Sequence, residues 1–281
     1  MTQQAYAGCA VALLTQHGKE ALLAPVLEPA LGCRIVHTDA FDTDQLGTFT
    51  RDIDRAGSQL EAARRKARLG MSLTGCRIGL ASEGAFGADP FGGFLPWDTE
   101  LLVWLDDERG LELVGLAQGP AQCQQAECRS WPELLAFAER AGFPSHHLVL
   151  RPEHSNAPVL HKGLGDEAAL HQAFEACQAA DAKGRVWAES DLRAMANPTR
   201  QALIRRAGQD LARRLASVCP ACQGPGFGVV GHTPGLPCSA CGQPTRLPLR
   251  QHWQCPGCGH ARDEGGRGGH ADPSRCDHCN P

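Results

Sequence analysis

The sequence predicts an α/β fold in three parts. A mixed-sheet, three-layer domain spans 1–150, a mainly helical connector 151–217, and a tail organised by paired cysteines 218–281. Three observations carry the prediction. Apolar runs of strand length alternate with helix-period segments through the first 150 residues, the pattern of helices laid on a sheet. Alanines and charged residues dominate from Asp166 onward, as in a helix. Eight of the 14 cysteines fall in the last 63 residues as four Cys-x-x-Cys pairs.

The elements follow in order. Cys9–Thr15 is a short continuous apolar run, the mark of a buried strand. Gly18–Leu31 reads as a helix bent by Pro25 and Pro29 and stopped at Gly32. Cys33–Thr38 is a second strand. Ser58–Met71 is a helix opened by an S-x-x-E capping box of Ser58 and Glu61, with Leu60, Ala63, Ala67 and Met71 on one face. Arg77–Ala81 is a third strand. Leu101–Leu105 and Leu111–Ala117 form a hairpin around Asp106–Gly110. Ser130–Ala141 is a helix ended by Gly142, and His147–Leu150 a strand. Beyond the alanine-rich helix, Val186–Glu189 is a short strand. Thr199–Leu215 is a helix with Leu203, Ile204, Ala207, Leu211 and Leu215 inward and five arginines from Arg200 to Arg214 outward.

Composition excludes some functions. At 281 residues the chain has length for about two domains and needs no disulfide staples. A net charge of −4 and 5% aromatics argue against a generic polycation and a base-stacking single-strand binder. No run approaches the roughly 18 apolar residues of a membrane span, and no secretory leader is evident. These features point to a reducing, cytoplasmic setting, where paired cysteines read as metal ligands.

The tail is the most specific signal. Cys219/Cys222 and Cys238/Cys241 are 15 residues apart; Cys255/Cys258 and Cys276/Cys279 are 17 apart. Each pair turns two thiolates toward one metal, and a second pair completes a tetrahedral sulfur site. Two structural Zn²⁺ in tandem zinc ribbons are expected, with the combination of pairs left open. Asp263–Asp272 is too polar and Gly-rich to form a core, so metal must supply folding energy. Residues 216–281 carry five Arg against four acids. With about −2 per four-thiolate zinc, that module becomes acidic, which disfavours nonspecific duplex binding. The other six cysteines show no metal spacing and read as small buried apolar residues.

Three motifs lie near strand ends. Thr15-Gln16-His17-Gly18-Lys19-Glu20 opens a helix whose free N–H groups attract phosphate, with Thr15, His17 and Lys19 as candidate phosphate contacts. Ser58–Arg68 places Glu61 ahead of Arg65 and Lys66, and Ala81-Ser82-Glu83-Gly84 puts an acid at a strand's end. This order resembles the inosine/xanthosine triphosphate pyrophosphatase-like fold over roughly residues 9–150. The resemblance implies Lys19 on the triphosphate, Glu61 and Glu83 holding Mg²⁺ or Mn²⁺, and Lys66 and Arg65 neutralising developing charge. The strand end here has one carboxylate where many members have two. Phe86-Gly87-Ala88-Asp89-Pro90-Phe91, similar to a base-pocket motif of that family, follows the acidic loop directly. Asp39, Asp42 and Asp44 are further candidate carboxylates. The whole chain also resembles an uncharacterised bacterial family with the same α/β front and cysteine-rich tail, which supports the architecture alone.

Arg193 and Arg200 are read either as an anion site or as parts of a helix junction capped by Asn197. The leading expectation is a metal-dependent hydrolase of a nucleotide or other small phosphorylated molecule, which requires Lys19, Glu61 and Glu83 to converge. The alternative is a non-enzymatic zinc-ribbon adaptor, with a protein or nucleic-acid partner that the sequence does not identify. A nucleic-acid reading would use the Arg200–Arg214 helix.

Overall fold

The computed structural model describes residues 5–42, 57–154, 157, 161–265 and 269–281. β1 (Ala10–Leu14) is buried along nearly its whole length, as a central parallel strand must be. β2 (Arg34–Thr38) and β3 (Ile78–Ala88) flank it, both parallel to it. β4 (Pro96–Asp106) and β5 (Leu111–Pro120) add antiparallel strands in the order β2-β1-β3-β4-β5.

Helices cover both faces of this sheet. α2 (Gln59–Thr74) starts at the expected Ser58–Glu61 capping box and ends at Gly75, whose φ of 72° suits glycine. Its Ala63, Ala67 and Met71 pack on Ala12, Ala81 and Val103. α1 (Glu20–Leu31) runs through Pro25 and Pro29 without ending. It shares the opposite face with α5 (Pro198–Ala216), where Leu23, Leu27, Leu203, Ile204 and Leu211 meet Val11, Leu13, Leu80, Leu102 and Trp104. The result is a mixed, three-layer α/β arrangement.

Over 151–217, expected as a mainly helical connector, the structure places strands as well as helices. β6 (Gln125–Cys128), α3 (Trp131–Ala141), β7 (Leu148–Pro152), β8 (His161–Leu164), α4 (Glu167–Ala180) and β9 (Val186–Ser190) build a second unit. Its antiparallel sheet has the order β6-β9-β7-β8 and its own core around Leu134, Phe137, Leu150 and Phe174. The boundary expected at 150 therefore falls inside β7. α5 belongs with the first sheet: its inward leucine row packs on β4 and β5 and beside α1. Asn197 caps α5 by accepting the Arg200 N–H at 3.0 Å, as a helix junction requires.

The tail holds β10 (Gly228–Pro234), β11 (Pro248–Gln254) and β12 (Ala261–Gly265), an antiparallel sheet. No helix among the described residues is long and apolar enough to cross a membrane.

Candidate functional site

The order β2-β1-β3 means the chain leaves β1 on one side, then crosses back to the other. Open α/β sheets bind ligands at such a reversal, beyond the carboxyl ends of the strands. The Thr15–Lys19 loop lies there. Thr15 is buried, accepts the His17 N–H on its hydroxyl at 3.3 Å, and its carbonyl meets His37 Nε2 at 2.8 Å. His17 is half-buried beside it.

Lys19 crosses the gap. Its ammonium donates to the Ser82 carbonyl at 2.7 Å and to Ser82 Oγ at 3.3 Å. Burial, reinforced by the Arg200 charge and opposed by Glu100 and Glu83, pulls it down to about 8. Alternation along β3 sends Ser82 and Gly84 toward α1 and α5, and Glu83 toward α2. Glu83 is buried and ion-paired with Lys66. Gln59, in the first turn of α2, donates to the Glu83 and Thr99 carbonyls at 2.7 and 2.8 Å.

The remaining charges are Asp98 and Glu100, for which the sequence predicts no site role, and Arg200, which it leaves between an anion site and a helix junction. Asp98 and Glu100 on β4 share the inward face of Leu102 and Trp104 and are 1% and 0% exposed. Arg200 Nε donates to Glu100 Oε1 at 2.5 Å, and its Nη1 donates to the Leu192 carbonyl at 2.6 Å. It therefore engages Glu100 rather than pairing with Arg193, whose guanidinium holds Asp191 at 2.6 Å. Both Asp98 oxygens are buried without a hydrogen-bond partner among the described residues. Burial first, then the Glu100 charge, pushes Asp98 up to about 7, against the pull of Arg200 and Lys19. A cue was present: Asp98, Glu100, Leu102 and Trp104 alternate in one strand, so the two acids inherit the buried face.

Other expected residues lie elsewhere. Glu61 is exposed, and its Oε2 accepts from Ser58 N at 2.7 Å and Ser58 Oγ at 2.9 Å, holding the carboxyl below its ordinary range. Glu61 is thus occupied by its own helix cap, and Glu83 by Lys66. The two-carboxylate Mg²⁺ or Mn²⁺ pair does not fit this arrangement. Arg65 is exposed on α2; Asp39 and Asp42 are exposed, and Asp44 lies outside the described residues. In the base-pocket-like segment, Phe86 lies 5.8 Å from the Arg200 guanidinium. Asp89 accepts the amides of Phe91, Gly92 and Leu95 at 3.0, 2.8 and 2.7 Å, leaving Phe91 and Phe94 exposed.

The tail forms two four-cysteine groups, Cys219/Cys222/Cys255/Cys258 and Cys238/Cys241/Cys276/Cys279. Pair one joins pair three, and pair two joins pair four. Sulfur separations are 3.8 Å for Cys219–Cys258, 3.7 Å for Cys222–Cys255, 3.9 Å for Cys238–Cys279 and 3.7 Å for Cys241–Cys276. A tetrahedron with zinc–sulfur bonds of about 2.3 Å has edges of about 3.8 Å, so both groups fit Zn²⁺. Amides of Ala221, Gly224 and Ala240 donate to ligand sulfurs at 3.4 Å. With four sulfurs each, both sites are closed, as structural zinc sites are. His260 and His270 are members of neither group.

A family model described as a domain of unknown function (DUF6671) matches residues 66–281. No curated protein matches the chain, and no solved structure does.

Proposed function

Because the chain belongs to the DUF6671 family, whose function is unknown, its activity must be read from its own residues, and we propose that the buried cluster beside β1 and β3 is an acid–base site. It would hydrolyse a small phosphorylated molecule, while the two zincs hold the tail together. The observation that carries this reading is that Asp98 and Lys19 are displaced together in one buried cluster. Both are buried at the sheet's reversal point, and both are moved toward neutrality, to about 7 and about 8. Groups displaced in this way are the ones suited to moving protons near neutral pH.

In this reading deprotonated Asp98 accepts a proton from the attacking water, because its oxygens have no competing donor among the described residues. Protonated Lys19 supplies charge to the anion at the start of α1, where backbone N–H groups also face outward. The Glu83–Lys66 and Glu100–Arg200 pairs hold the surrounding field fixed. Activity should then rise with pH through about 7 as Asp98 ionises, and fall above about 8 as Lys19 loses its proton.

The test is a panel of nucleoside triphosphates and phosphate esters, with and without Mg²⁺ or Mn²⁺, on wild type, Asp98→Asn, Lys19→Met and Glu83→Gln. Turnover that falls about 100-fold or more in Asp98→Asn supports the reading. Ligand binding without turnover would replace it with a non-catalytic binding domain, and turnover unchanged in Asp98→Asn would exclude Asp98 as the base.

A further inference from the structure

Three of the cysteines outside the tail stand just before the three parallel strands: Cys9 before β1, Cys33 before β2 and Cys76 two residues before β3. The registers align them. Ala10 pairs with Arg34 and Val11 with Ile78, so one step back from the first pair sets Cys9 beside Cys33, and two steps back from the second set it beside Cys76. Backbone pairing reaches that level on the β2 side, where Gly8 N donates to the Gly32 carbonyl and Arg34 N to the Cys9 carbonyl, each at 2.8 Å.

The faces separate the two neighbours. Cys9 and Cys33 pack into the same core, with Tyr6, Val11 and Leu31. Cys76 packs against the opposite core, with Ala67 and Met71. Paired residues on adjacent strands lie about 4.8 Å apart, inside the roughly 4.4–6.8 Å that a disulfide spans between Cα atoms. Cys9 is half-buried at a cavity of about 440 Å³ that Cys76, Arg34 and Arg77 also line. Cys33 is buried, with its Sγ 3.9 Å from the Leu27 carbonyl.

We infer that Cys9 and Cys33 are a reversible redox pair, with Cys9 the thiol that meets an oxidant and Cys33 the thiol that resolves it. With a peroxide as oxidant, the Cys9 thiolate attacks one peroxide oxygen. The O–O bond breaks, the distal oxygen leaves as an alcohol or water after taking a proton, and Cys9 becomes a sulfenic acid. The Cys33 sulfur then displaces hydroxide from Cys9, forming the S–S bond and releasing water. Two thiols are oxidised by two electrons and one peroxide is reduced. Burial pushes the Cys33 thiol up to about 11, so it waits as the neutral thiol and does not compete for the oxidant; it gives its proton to the departing hydroxide as the S–S bond forms. The bond would tie the foot of β1 to that of β2, at the far end of β1 from Lys19.

The experiment treats the full zinc-loaded chain with hydrogen peroxide, follows zinc release, alkylates the remaining thiols and maps peptides by mass spectrometry. The expected result is a Cys9–Cys33 linked peptide, lighter by two hydrogens, that dithiothreitol removes. It should form before zinc is lost, persist in Cys76→Ser and disappear in Cys9→Ser. A Cys9–Cys76 link, a Cys9 sulfinic acid with no link, or oxidation of the zinc cysteines first would each overturn the inference. The wild-type map decides the matter even if Cys33→Ser fails to fold.

Discussion

At Asp98 the chain keeps a carboxylate where burial makes ionisation costly. Its folded value of about 7 lies above the ordinary aspartate value of 3.8, so between those values the folded state binds the proton more tightly than the unfolded chain does. Its contribution to stability is present at low pH and is lost as pH rises through about 7. Asp98→Asn should therefore be more stable than wild type at pH 8, by up to about 4 kcal/mol. The advantage should shrink below pH 7 and vanish near pH 4. Urea denaturation of both proteins across that range checks this; a difference that does not change with pH would remove the buried charge from the account. The acids also show what could be read in advance. Glu61 declares its capping role through Ser58 three residues earlier. Glu83 is visible at a strand end, but which face it takes depends on the register of β3, and its partner Lys66 depends on where α2 is laid. Asp98 and Glu100 were readable only by extending the hairpin strand back through Trp97, where polar residues mimic a loop.

Among the elements, α5 makes the least expected contact. Its apolar row Leu203, Ile204, Ala207, Leu211 and Leu215 is plain in the sequence. Its partner strands are about 100 residues earlier, and a complete second unit intervenes, so periodicity alone could not assign it to the first sheet. The contact is close because Gly115 on β5 has no side chain. A Cβ there would lie 2.5 Å from Leu211 Cβ and 2.6 Å from the Ala207 carbonyl oxygen. Part of that obstruction is helix backbone, which cannot turn aside. Gly115→Ala should cost about 1–3 kcal/mol by forcing α5 off the sheet. Gly87→Ala, on β3 with open space around it, should stay within about 0.5 kcal/mol of wild type. Equal denaturation midpoints for the two variants would contradict this packing. β6 and β8 escaped the sequence reading for a different reason: four residues each, largely polar, they hold strand conformation by pairing with β9 and β7.

For the whole molecule, the interleaving of the cysteine pairs decides how the tail comes apart. Two neighbouring ribbons would each close on adjacent pairs and could lose zinc independently. Here Cys238/Cys241 lie within the loop closed by Cys219/Cys222 and Cys255/Cys258, and Cys255/Cys258 lie within the loop of the second site. The tail's own apolar core is small, with Phe227 and half-buried Trp253 packed on Cys219 and Cys255, so zinc bound at the two four-cysteine groups would supply most of its folding free energy. The first sheet closes with α5 before Cys219 and keeps its separate core. Wild type should bind two zincs per chain and release both in one step to a strong chelator. Cys276→Ser, which removes a ligand of the second site only, should weaken zinc at the first site as well, measured by metal content after dialysis against chelator. Hydrogen exchange on the same samples should show 218–281 losing protection while β1, β3 and β4 keep theirs. A Cys276→Ser protein that holds one zinc as firmly as wild type would mean that the two sites fold independently despite their crossed ligands.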